Sequence, residues 1–71
     1  MTVPKGGDVT KQIRYQLIRQ ERTATSVMAD ARIAEGTWYT RMKHPKTWRL
    51  GELERVAAAL GLTVAELVGT P

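Results

Sequence analysis

The stretch Thr23-Ala24-Thr25-Ser26-Val27-Met28-Ala29-Asp30-Ala31-Arg32-Ile33-Ala34-Glu35-Gly36-Thr37-Trp38-Tyr39-Thr40-Arg41-Met42-Lys43 decides how this chain folds. Thr23 offers a side-chain acceptor that starts a helix over about Ala24–Ala31, burying Val27, Met28 and Ala31. Arg32-Ile33-Ala34 make a turn, and a second helix follows over about Glu35–Lys43. Its apolar edge is Trp38 and Met42, one helical turn apart. Pro45 lies just past it and cannot continue it. The other faces of this second helix carry Gly36, Thr37, Tyr39, Thr40, Arg41 and Lys43. A solvated surface helix would normally be richer in acids and poorer in aromatics. Small and hydrogen-bonding side chains beside positive charge suit a helix that enters a DNA major groove. Bulk is limited there, and base edges offer donors and acceptors.

Outward from this pair, residues 1–8, with Pro4, Gly6 and Gly7, read as a flexible arm ahead of one domain over 9–71. Asp8 or Thr10 caps a first helix running to about Arg22, with Ile13, Leu17 and Ile18 on one face. On the other side, Pro45–Arg49 form a loop. Trp48 within it either packs under the loop or lies exposed beside the basic residues. A fourth helix, about Leu50–Leu60, places Leu53, Val56, Ala57 and Leu60 on a core-facing stripe. Gly61 closes it. Thr63-Val64-Ala65-Glu66 has capping-box spacing and opens a last short helix with Leu67 inside. No alternating strand pattern and no repeat interrupts the series, so the expected class is all-α with five helices.

Seventy-one residues allow one small core. No apolar run approaches the roughly 20 residues of a membrane span, and the N-terminus lacks a signal-peptide core. The absence of cysteine excludes disulfides and thiolate metal sites and is compatible with a cytoplasmic setting. The net charge of +4 is divided unevenly: residues 1–49 hold 10 Lys/Arg against 4 Asp/Glu (+6), residues 50–71 hold 1 against 3 (−2). A basic front and a mildly acidic back fit a surface built for a polyanion, or an ordinary solvated basic protein.

Enzyme chemistry has no foothold. His44 has no second histidine, cysteine or clustered carboxylate for a metal. Ser26 is the only serine, and nothing poises His44 as its base. Gly6-Gly7 lacks the Lys-Ser/Thr of a phosphate-cradling loop. No cofactor, metal or small-molecule substrate is expected.

The two central helices and their short turn are spaced as a helix-turn-helix, with Val27, Ala31, Ile33, Trp38 and Met42 to lock the crossing. Thr23–Leu67 resembles the lambda-repressor-like, Cro/repressor-type helix-turn-helix family of phage and bacterial transcriptional regulators. Val27-Met28 with Ala31, then Ile33, Trp38 and Met42 carry the resemblance. The more specific match runs from Pro45 through Leu50-Gly51-Glu52-Leu53 to Ala59-Leu60-Gly61-Leu62, which is similar to small prophage members. Four positions depart from the family's habits. Ala24 stands where Gln begins helix 2, Arg32 where Gly precedes the turn's apolar residue, Ala34 where Ser or Thr caps helix 3, and Arg22 where an apolar residue precedes the helix 2 cap.

The resemblance implies a compact five-helix domain that binds an operator in double-stranded DNA and regulates transcription by occupancy, as a repressor or Cro-like protein of phage or prophage. By family position Glu35, Gly36, Tyr39 and Thr40 face base edges, with Thr37 beside them. Glu35 either accepts from a cytosine amino group or serves the helix dipole. Arg32, Arg41, Lys43, Lys46 and Arg49 bracket the helix for phosphates, joined by Thr23 and Thr25 at the start of helix 2. The Lys5-Gly6-Gly7 arm either follows a groove or is a disordered tail. Two copies on a pseudo-palindrome would raise affinity, with Leu62–Val68 as dimer contact or simple core closure. The alternative class is a protein-interaction module, anti-repressor or antitoxin-like, that keeps the fold without specific DNA readout; Ala24 and Arg32 motivate it.

Overall fold

The structure is a computed structural model that describes the backbone of residues 6–68 and the side chains of residues 9–68. It is all-α: α1 (Gly6–Arg19), α2 (Ala24–Ala31), α3 (Glu35–Lys43), a 3-10 turn (Pro45–Thr47), α4 (Leu50–Leu60) and α5 (Val64–Val68). α2 and α4 share the most extensive packing, while α1 closes over the 3-10 turn and α5. The core draws on every helix. Ile13, Val27, Trp38, Val56 and Leu67 are its largest fully buried side chains. No helix among the described residues is long and apolar enough to cross a membrane.

Local chemistry sets the helix ends. Ser26 N–H donates to Thr23 Oγ1 at 3.1 Å, which satisfies one of the orphan donors at the start of α2. The Thr63–Glu66 capping box forms in both directions, at 2.9 and 3.1 Å. Gly61, at φ 72°, ends α4, and Leu62 N–H returns to Ala57 O at 2.8 Å. Arg32 takes the same left-handed conformation at the end of α2, with φ 58° and ψ 47°.

Free carbonyls at helix C-termini are met by side chains from elsewhere in the fold. Thr10 Oγ1 donates to Met42 O of α3 at 2.7 Å. Arg55 Nε donates to Ala31 O of α2 at 2.8 Å. Gln20 Nε2 donates to Leu60 O of α4 at 2.9 Å, and Arg22 Nη1 to Ala59 O beside it. The first two bonds hold α3 and the turn before it, and the last two tie the end of α4 to the link between α1 and α2.

Helix α1 departs from expectation. It starts at Gly6, so Gly6–Asp8 are helical rather than the end of an arm, and it stops at Arg19 rather than Arg22. Thr10 is no cap: it is buried and tied to α3. The Asp8 side chain and the Lys5 end of the arm lie outside the described residues. Glu21, at φ 52°, turns the chain out of α1. Ile18, expected inside, is 79 % exposed, whereas Gln16 is 4 % exposed and accepts from Gln20 Nε2 at 3.0 Å. A buried amide with a partner is tolerated where a lone one would be costly.

Arg22 explains its own departure from the family pattern. Its guanidinium reaches Asp30 Oδ2 at 2.6 Å and Ser26 Oγ at 3.2 Å as well as Ala59 O. A charged fork therefore does the joining that an apolar residue would do there, linking both ends of α2 to the end of α4.

Candidate nucleic-acid interface

Helix α3 is anchored along one side only. Trp38, 1 % exposed, meets Trp48 edge-on, with ring centroids 5.9 Å apart and an interplanar angle of 86°. Trp48 thus packs under the loop, which decides between the two placements open from sequence. Its indole nitrogen is buried with no hydrogen-bond partner among the described residues. Met42 is half-buried against the core.

The opposite side is open. Glu35, Gly36, Tyr39, Thr40 and Lys43 are all exposed, and at about 100° per residue they form one continuous face. Thr37 and Arg41, on the other flank, are half-buried. The exposed face is therefore shifted toward Tyr39 and Lys43. Among the five residues expected to read bases, Thr37 sits at its margin and the other four on it.

Gly36 has neither a packing nor a backbone reason to be glycine. A Cβ built there meets nothing within 4 Å, and its φ is not in the left-handed region. Glycine inside a helix costs roughly 0.5–1 kcal/mol against alanine. Arg32 carries a comparable penalty, since a non-glycine residue at left-handed φ costs on the order of 1 kcal/mol. Both residues are exposed, flanking the start of α3. Departures from local optimum cluster where a surface serves something other than stability.

Around this face, Thr23, Thr25, Arg32, Lys43, Lys46 and Arg49 are exposed. Arg41 is placed differently from expectation. Its Nε lies 3.0 Å from Glu52 Oε1 and its Nη2 3.5 Å from Oε2, with the two side chains 19 % and 13 % exposed. In the free protein this guanidinium therefore faces Glu52 rather than open solvent.

Glu52 has a second task. It accepts from Arg49 N–H at 2.9 Å, satisfying a free donor at the start of α4. Partial burial pushes its pKa up. The hydrogen bonds from Arg41 and from the Arg49 backbone, with the charges of both arginines, more than offset this and hold the carboxyl below its usual range. An acid in the first turn of α4 was visible in the sequence, but its partner in α3 was not. Arg55 was missed likewise, because only the fold brings it to Ala31. Among the described residues no group of three His, Cys, Asp or Glu side chains could hold a metal ion.

Two short helices joined by a tight turn, the second with a buried edge and an open polar-basic face, define a helix-turn-helix domain. A family model for the Cro/C1-type HTH DNA-binding domain matches residues 12–71, and the chain belongs to that family. The family is one of DNA-binding regulatory domains, not of enzymes. No curated protein and no solved structure matches the chain.

Proposed function

We propose that this domain is a sequence-specific transcriptional regulator of the repressor or Cro-like kind that reads the major groove with α3. The observation carrying this reading is the exposed face Glu35–Gly36–Tyr39–Thr40–Lys43, with open space over Gly36. Thr40 can donate to or accept from a base edge and offers a methyl to thymine. Gly36 lets the DNA approach the helix backbone. Tyr39 reaches a phosphate or sugar, Glu35 serves as base contact or dipole partner, and Thr37 acts at the margin.

Arg32, Lys43, Lys46 and Arg49 neutralise phosphates in this reading, and Thr23 and Thr25 contribute hydroxyl and N-terminal contacts from α2. Two copies meet on paired half-sites, since one small module buries little surface. Leu67 is fully buried, and Val64 and Val68 pack against the core, which supports core closure by α5. Pairing is accordingly proposed for the DNA-bound state. The phage or prophage setting rests on the resemblance of Pro45–Leu62 alone.

Titration of binding to random duplex DNA against salt tests the reading. Affinity should fall steeply with salt, and Lys46→Ala and Arg49→Ala should each reduce the slope by about one. No binding at low salt would contradict the proposal and favour the protein-interaction alternative.

A further inference from the structure

The recognition face can read DNA only if α3 is held at a fixed roll and tilt. Its packing supplies little of this. α3 touches α2 and the 3-10 turn sparingly and α4 hardly at all. Trp38 fixes the middle of the helix, and a backbone carbonyl bond from Thr10 fixes its end. Both contacts act on the buried edge and the end of the helix. The Arg41–Glu52 pair constrains the other flank: it joins α3 to the first turn of α4 through two guanidinium nitrogens and both carboxylate oxygens, at 3.0 and 3.5 Å. It is the one side-chain hydrogen-bonded pair between these helices among the described residues. Glu52 is itself fixed by Arg49 N–H at 2.9 Å, so the anchor for Arg41 is rigid.

We infer that Glu52 is a specificity-determining positioning residue, which orients the reading face of α3 through Arg41 without touching DNA. Arg41, although basic and on the recognition helix, is then a strut and not a phosphate clamp. This rests on the reading of α3 as the groove helix. The two roles for Arg41 separate chemically. A phosphate clamp needs only charge, which lysine keeps; a strut needs the planar fork, which lysine lacks.

The test uses the full chain, a site selected by the wild type from random duplexes, and a scrambled duplex of equal length. Arg41→Lys and Glu52→Gln are each expected to lower the ratio of affinities for the two by about tenfold or more. The salt slope on the scrambled duplex should stay at the wild-type value. The double variant should lose no more than the worse single variant, because the pair acts as one unit. Arg41→Lys keeps the charge opposite Glu52, so it stays folded if Glu52→Gln does not; buried-tryptophan emission checks this. A wild-type ratio in folded Arg41→Lys would overturn the inference, as would a salt slope reduced by about one in Arg41→Ala. If the wild type itself selects no site, the groove reading fails and this inference with it. If the wild type selects a site and both variants keep the preference, only the positioning role fails.

Discussion

Arg55, on α4, donates from Nε to the carbonyl of Ala31, the last residue of α2, at 2.8 Å. One side chain thereby closes the C-terminus of the first helix of the motif at the turn where the chain swings into α3. The same turn holds Arg32 in the left-handed region, so a strained position and its brace are adjacent.

Arg55→Ala should destabilise the domain by about 1 kcal/mol, as loss of a partly exposed charge-assisted bond does. For a domain of this size the melting temperature should fall by roughly 4–8 °C. An unchanged melting curve would mean that water caps α2 equally well.

Gly36→Ala should move stability and binding in opposite directions. Nothing lies within 4 Å of the added Cβ, so the folded domain gains about 0.5 kcal/mol in a denaturant titration. The methyl group stands where DNA is proposed to approach, so affinity for a selected site should drop. Improved stability with unchanged affinity would remove Gly36 from the reading face.

The two isoleucines of α1 make a matched pair. Ile13 is wholly buried, and Ile13→Ala should cost about 2–5 kcal/mol. Ile18 is 79 % exposed, and Ile18→Ser should stay within about 0.5 kcal/mol of wild type. Comparable losses in urea unfolding would place Ile18 in the core after all.

These contrasts show what could be read from sequence. The spans of α2, α3 and α4 were legible because short-range devices fix them: the Thr23 cap, Pro45 beyond α3, and Gly61 ending α4 in left-handed conformation. Trp38 was legible as core because nothing else on α3 gives a comparable apolar edge. α1 misled, since its period allowed either Ile18 or Gln16 inside, and the choice is made by an amide pair with Gln20. The pairing of Arg41 was not legible because its partner lies 11 residues on in the next helix, beyond any local spacing rule. The exposed face of α3 follows from the helical period, and the half-burial of Arg41 at its flank accompanies that same long-range pair.

Glu52 gives the domain a predictable response to acid. Its folded-state pKa lies below the ordinary 4.5, so the unfolded chain takes up the proton more readily. The stability it contributes is complete above about pH 4.5 and is lost as pH falls through the lowered folded value. In urea unfolding, the gap between wild type and Glu52→Gln should be widest near pH 7 and narrow toward about pH 3. A gap constant across that range would show that the carboxylate gains nothing from its arginines.

The central claim is that the exposed face of α3 reads base sequence, and selection of bound sites from a random duplex pool tests it most directly. Wild type and Thr40→Ala would be selected side by side, Thr40 being exposed at the middle of that face. The account predicts a defined motif for the wild type and a relaxed preference at one or two adjacent positions for Thr40→Ala, with the rest of the motif retained. An identical motif from both proteins, or none from either, would contradict it.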